Sequence, residues 1–314
     1  MATTSAGNPY VESSDLVANY PATSLALANR LDKYAVNPFA DAAARDAAIP
    51  TPVQGQLAQT LDDNKVWRYD GTAWAPFSGA VGAASFTNTP TGTYTDAGID
   101  YKYITFTGTG NIEFDVAGFI DLMLVSGGGA GGSGQYGSAS GGGAGSYIVQ
   151  TNLYMPLGTG TVVIGAGGAG TSGAMGTNGT DSSLILGGLS IKGIGGGAGA
   201  TASSGSSNPG GSGGAPRTAS ATLISGKGLL GGNDASTSNP GGGGGSGSAG
   251  SGVTGGNPTS YSITGSAVDY AAGGRSGTNN EPGGNNTGTG GSGATSSTVG
   301  VAGGSGIAVI RVVV

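Results

Sequence analysis

Residues 231–257 read GGNDASTSNPGGGGGSGSAGSGVTGGN, with five consecutive glycines at Gly241–Gly245 and almost no side chain large enough to pack. Such a stretch is a flexible linker, a disordered tail, a phosphate-binding loop, or a folded object made mostly of backbone. The choice decides the fold, because the same composition fills two thirds of the chain. Glycine supplies 70 of the 314 residues, yet only Gly7, Gly55, Gly71 and Gly79 fall in the first 80 positions. Beyond Val116 nearly one residue in three is glycine. That is collagen-like content without collagen's three-residue period or its proline.

The segments between the glycines argue against a linker. Phe119–Val125 (FIDLMLV), Tyr147–Thr151, Thr161–Ile164, Ser183–Leu186, Leu189–Lys192, Thr222–Ile224 and Ile307–Val314 (IAVIRVVV) are short and apolar, with β-branched enrichment. A disordered tail would not end in eight residues this apolar. The terminal strand needs partners such as Phe119–Val125 far back in the chain, so the ends of the glycine region meet in one fold. Gly165–Gly170 (GAGGAG) follows the apolar TVVI and matches a dinucleotide fingerprint, but TSGAMGTNGTDSS after it has no helical period. Among 70 glycines the match is expected by chance.

A glycine lattice is the remaining reading. A polyproline-II-type helix has three residues per turn and no internal hydrogen bonds, so its N–H and C=O groups point sideways. With hydrogens for side chains, neighbouring helices approach closely and bond through those groups, which satisfies the buried backbone. Ordering glycine costs more entropy than ordering any other residue, so strands must clamp the ends of the runs. If Gly243 lies in such a run, Gly243→Val destabilises; if it lies in a solvated loop, the change is neutral or slightly stabilising.

Upstream, two other regimes precede this body. Residues 1–50 carry the helical character: Pro21 opens ATSLALANRLDKY, with Leu27, Leu31 and Tyr34 on one stripe, and Asn37 with Pro38 reads as the start of a second helix ended by Pro50. The stripe either packs on its own domain or mediates oligomerisation and docking. Residues 51–84 form a small β-meander, with strands at Gln56–Leu61, Lys65–Tyr69 and Thr72–Phe77 and a turn at Asp62-Asp63-Asn64. From Ser85 onward Tyr101–Thr107 and Asn111–Val116 begin the third regime, residues 85–314. The expected fold is mainly β: short N-terminal helices, the meander, then a glycine-rich β-sandwich body with polyglycine II-like runs.

Charge and composition narrow the function. Residues 1–116 hold 12 acidic and 6 basic side chains, and residues 117–314 hold 5 of each, so the net charge of −6 lies in the N-terminal third. No basic cluster suits a phosphate backbone, so no nucleic-acid partner is expected. With no cysteine and no histidine, disulfides, thiolate metal sites and imidazole catalysis are excluded. No signal peptide or membrane span is read, so the product is expected to be soluble and made in the cytoplasm. The carboxylates Asp121, Asp181, Asp234, Asp269 and Glu281 are widely spaced, so neither an enzyme nor a bound metal or cofactor is expected. For binding, the informative residues are large or charged ones stranded among glycines: Tyr136, Arg217, Lys227, Tyr261, Tyr270, Arg275, Asn279, Asn280 and Glu281. Tyr261 and Tyr270 read equally well as core residues of a local strand, YSITGSAVDY.

The stretches FTGTGNIEFDVAGFIDLMLVSGGGAGGSG, LGTGTVVIGAGGAG, SSLILGGLSIKGIGGGAGA and GGSGIAVIRVVV resemble, in order and spacing, the glycine-rich domain of tailed-bacteriophage tail-fibre and adhesin proteins. ATTSAGNPYVESSDLVANYPATSLALANRLD and RDAAIPTPVQGQ with VWRYDGTAWAPF look like attachment and neck modules of virion appendages. The resemblance implies a homotrimeric, tail-mounted appendage in the virion that meets other virion proteins through its N-terminus and a host surface glycan or protein through tip loops. A capsid-surface fibre or decoration protein is the alternative, and a polysaccharide depolymerase a lesser one.

Overall fold

The computed structural model describes residues 2–3, 9–10, 36–62, 65–77, 82–135, 137–203, 206–215, 229–231, 240–277, 281–295 and 299–314. The Leu27/Leu31/Tyr34 stripe, the turn residues Asp63 and Asn64, and the expected strand Thr222–Ile224 lie outside them. The chain forms two compact units, residues 1–82 and 83–314.

In the first unit β1 (Ala2–Thr3) pairs with β2 (Pro9–Tyr10). A four-stranded sheet follows in the order β3 (Asn37–Phe39), β4 (Leu57–Thr60), β5 (Lys65–Tyr69), β6 (Trp74–Pro76). The expected helix start at Asn37 and Pro38 is corrected here: those residues form β3, parallel to β4, and the helix α1 is Ala42–Ala48. Asp41 is the N-cap, its carboxylate accepting from the Ala44 N–H at 2.8 Å. Residues on both sides of position 50 therefore share one sheet. Arg45 of α1 is buried, its guanidinium 5.1 Å from the Trp67 ring and 4.8 Å from that of Trp74.

The second unit is a β-sandwich extended by glycine runs. One sheet has the order β15 (Leu189–Gly193), β14 (Ser182–Leu186), β13 (Gly158–Val163), β10 (Gly110–Val116), β7 (Ser85–Phe86). The other has β12 (Tyr147–Met155), β11 (Gly118–Val125), β18 (Ile307–Val313), β9 (Ile99–Phe106), β8 (Gly92–Asp96). Between them pack Phe86, Ile112, Phe114, Val162 and Leu184 from the first and Ile104, Ile120, Leu122, Leu124 and Ile310 from the second. The apolar runs FIDLMLV and IAVIRVVV pair, as expected, and do so antiparallel, with both faces of each covered. Ile120, Leu122 and Ile310 face the sandwich, whereas Met123, Val125, Ile307 and Val309 face a second cluster under the hairpin of β16 (Thr259–Tyr261) and β17 (Val268–Tyr270). That double burial explains why neither run alternates with polar residues.

Where the strands end, three buried serines convert the ladder into the lattice. Ser182 Oγ donates to the Val125 carbonyl and accepts from the Gly165 N–H, both at 2.9 Å. Ser126 Oγ accepts from the Ser182 N–H at 3.1 Å, and Ser146 Oγ from the Ile194 N–H at 3.1 Å. Each hydroxyl satisfies a backbone group that the strand has stopped pairing.

Beyond the serines the hydrogen bonds run with a period of three. In residues 127–132, Gly127 and Ala130 donate to Thr180 and Thr177, Gly128 and Gly131 to Gly304 and Val301, and Gly129 and Gly132 to Gly143 and Ser140. Carbonyls of the same run accept from Gly196 and Gly199, from Gly291 and Ala294, and from Gly168. One run thus has six neighbours, half reached by N–H and half by C=O. Residues 139–145 repeat the pattern, donating to 197–200, 241–244 and 288–291 and accepting from 129–132, 212–215 and 274–277. This is the hydrogen-bond arrangement of polyglycine II, with parallel and antiparallel neighbours mixed. The GAGGAG of residues 165–170 is one such run, not a phosphate loop before a helix: Gly168 donates to Gly128 and accepts from Gly303.

Glycine is required in the runs by space. A Cβ on Gly129 would overlap the Gly197 carbonyl, and one on Gly143 the Ser212 carbonyl. The Ala and Ser residues that interrupt the runs are accommodated individually: the Ala130 methyl, fully buried, occupies space in front of Gly176.

Candidate functional site

The order of the strands assigns the two ends of the lattice. β11 runs into residue 126 and β12 starts from residue 146, so the 127–145 excursion leaves the sandwich and returns to it. The excursions 164–181, 194–211, 271–287 and 288–306 do the same in register with it, through backbone bonds to the runs already described. Their turns therefore collect at the end of the lattice away from the sandwich.

Contacts join these turns into one surface. Ser138 forms an antiparallel bridge with Thr295, and Ser172 with Val299. Ser133 Oγ accepts from the Gly173 N–H at 3.2 Å, and the Ser133 carbonyl from the Ala202 N–H at 3.0 Å. Gly277 donates to the Ala139 carbonyl at 3.1 Å and Ser276 to that of Val253 at 2.9 Å. Exposed side chains on this surface include Gln135, Ser172, Arg275, Glu281 and Val299.

Arg275 and Glu281, singled out from the sequence, both lie here. Each is held by its backbone to the same run: the Arg275 carbonyl accepts from Gly293 at 2.8 Å, and the Glu281 carbonyl from the N–H and hydroxyl of Ser292 at 3.1 and 2.9 Å. Tyr136, Arg217, Lys227, Asn279 and Asn280 fall outside the described residues. Gln135, Ser138, Ser172, Thr295 and Val299 were not singled out from the sequence. Their signal is positional, since each interrupts a glycine-rich stretch where chain direction reverses.

Tyr261 and Tyr270 are placed elsewhere. They belong to the β16–β17 hairpin, which covers the outer face of the second sheet at the sandwich end. Tyr270 is 3 % exposed and stacks on Tyr147 with ring centroids 6.4 Å apart, so its ring is core rather than a contact for a ligand. Burial, reinforced by the neighbouring Tyr261 and Tyr270, pushes the Tyr147 hydroxyl up to about 12; burial also raises Tyr261 and Tyr270. Tyr94 donates to the Ile263 carbonyl at 3.2 Å and accepts from Arg311 at 2.5 Å, tying the hairpin to β18. Arg311 also forks onto Asp121 and lies 4.5 Å from the Tyr101 ring. Burial opposes its charge, but the bonds to Asp121 and Tyr94 outweigh that and raise its pKa.

The other carboxylates are dispersed. Asp181 pairs with Lys192 at 2.7 Å and accepts from the Gly195 N–H at 2.9 Å. Burial works against its charge, and those two bonds still hold its pKa below the ordinary value. In the first unit, Asp70 caps a turn, and the N–H groups of Ala73 and Thr72 hold its carboxyl at about 2. Among the described residues no three of Asp, Glu, His and Cys converge as a metal site, and no helix is long and apolar enough to cross a membrane.

No curated protein matches the sequence significantly. The glycine-rich domain family matches residues 104–313, which takes in the sandwich from β9 to β18 together with the whole lattice. On that match, covering two thirds of the chain, the protein belongs to the glycine-rich domain family.

Proposed function

We propose that this chain is a structural virion protein of a tailed bacteriophage, a tail-fibre adhesin that recognises the host bacterial surface. The observation that carries the reading is the polarity of the second unit. The chain enters it at Ala83, beside Phe119 at the strand ends remote from the lattice, and the turns gather at the opposite end. A body that holds irregular, exposed loops on a backbone-bonded column suits surface recognition, since binding residues concentrate on loops fixed by a rigid scaffold. In this reading residues 1–50 mount the protein on other virion proteins and hold it as a homotrimer. The fibre acts by binding, without chemistry of its own.

Immunogold labelling of virions with antibody to residues 83–314, together with adsorption assays on virions carrying altered loop-end residues, tests the proposal. Label on the tail and lost adsorption with Arg275→Ala and Gln135→Ala are expected. Absence of the protein from the virion, or label confined to the capsid, overturns it.

A further inference from the structure

We infer that the loop end recognises an acidic sugar, with Arg275 holding the carboxylate and Glu281 accepting hydroxyls; this rests on the adhesin reading and names its ligand class. Four basic side chains are described in the second unit. Lys102 donates to Ser85 Oγ and the Phe86 carbonyl, Lys192 pairs with Asp181, and Arg311 pairs with Asp121. Arg275 alone among them has neither a hydrogen bond nor an ion pair among the described residues, and it is exposed. The Glu281 carboxylate is likewise exposed and has no hydrogen bond or ion pair among the described residues.

Their placement makes this more than two free surface charges. Arg275 stands between buried Gly274 and buried Ser276 on a lattice run, so its backbone is fixed while its side chain projects. Gly293 and Ser292, consecutive on one neighbouring run, bind the Arg275 and Glu281 carbonyls respectively. Two opposite charges thus flank one run without bridging each other. A guanidinium presents a planar fork matched to a carboxylate, whereas a carboxylate offers only acceptors, suited to hydroxyl donors. A uronic-type sugar carries both complements on one ring. Mounting on fixed backbone also lowers the ordering cost of binding.

The test uses the full chain labelled with ¹⁵N, following the Arg275 Nε–Hε resonance, assigned by its loss in Arg275→Gln. Trigalacturonate is expected to shift it, and titration calorimetry is expected to show affinity falling about tenfold or more in Arg275→Gln and weakening as salt is raised. Maltotriose is expected to leave it in place. No shift with trigalacturonate overturns the inference, as does an equal shift with inorganic phosphate, which would indicate an adventitious anion only. A loop-end shift with maltotriose instead rejects the acidic class while leaving the adhesin reading intact; only loss of virion location or of loop-dependent adsorption removes that.

Discussion

Gly243→Val tests the lattice at the centre of the five-glycine run. Gly243 donates to Gly274 and accepts from Gly256, both at 2.8 Å, so its backbone is fully engaged. A Cβ there would be driven into the Gly142 carbonyl and would stand 2.8 Å from the Gly143 nitrogen, where real Cβ atoms essentially never come within 3.0 Å and ordinary contact starts near 3.4 Å. The runs 241–244 and 140–145 must then part by about 1 Å or more. The Gly141 to Gly241 and Ala144 to Gly244 bonds, at 3.1 and 2.9 Å, would stretch to about 4 Å, beyond hydrogen-bonding range. Two buried donors left without acceptors cost about 1–3 kcal/mol each, and overpacking adds to that.

A loss of about 3 kcal/mol or more is expected, seen as a fall in melting temperature of roughly 6–12 °C for a unit of this size. Calorimetry on the full chain reads it. Gly108→Ala is the control, because nothing lies within 4 Å of a Cβ there and the residue is exposed. It should be neutral or stabilising by a few tenths of a kcal/mol through the unfolded chain. A Gly243→Val protein that melts at or above the parent would show that no backbone is packed against this run.

Ile310→Asp places an unpaired charge between Leu122 and Ile104 at a fully buried position; a loss of about 4 kcal/mol or more and rapid proteolysis of residues 127–306 should follow, whereas the parent should resist. Light scattering on a fragment starting near Ser85 should give a monomer if residues 1–50 hold the oligomer, and full-length stoichiometry would refute that. The raised Tyr147 pKa predicts alkaline destabilisation: its contribution is complete below about pH 10 and is lost as pH rises through about 12, so melting temperature should fall across that window and Tyr147→Phe should flatten the fall. Gly176→Ala should destabilise by crowding the Ala130 methyl, and adding Ala130→Gly should recover part of the loss; strict additivity in the double-mutant cycle would mean the two do not touch.

The strands of the second unit were legible because each is a dense apolar segment bounded by glycine. IAVIRVVV could be assigned a distant partner because a segment with seven apolar residues out of eight cannot stay solvated. Asn37 and Pro38 misled because a cap-and-proline pattern is a local preference, and here the parallel ladder between β3 and Leu57–Thr60 outweighs it while Asp41 supplies a cap four residues later. The short β7, β16 and β17 carry too few residues to show a period. Neighbour choice within the lattice was illegible for a different reason: glycine has no side chain with which to specify register, so pairing is dictated by the strands and serines at the run ends. At the candidate site, Arg275 and Glu281 were legible as charges that no glycine run can bury. Tyr261 and Tyr270 looked equally stranded, and only the fold-back of their hairpin onto Met123 and Val309 shows where they pack.

The same physics divides the chain into positions that can change and positions that cannot. Inside the lattice, specificity comes from close approach of backbones, so even one methyl must be matched by its neighbour, as Ala130 is matched by Gly176. At the turns the constraint lifts, because Gln135, Ser172 and Val299 point outward from run ends already pinned by backbone hydrogen bonds. Substitutions there alter the presented surface without disturbing the column that presents it. In most folds a recognition loop is supported by side-chain packing beneath it, so changing the loop risks the core. Here the support is backbone-to-backbone, and the turns are energetically separate from it. For a proposed adhesin facing a changing host surface, that separation is the mechanical reason to build the body from glycine.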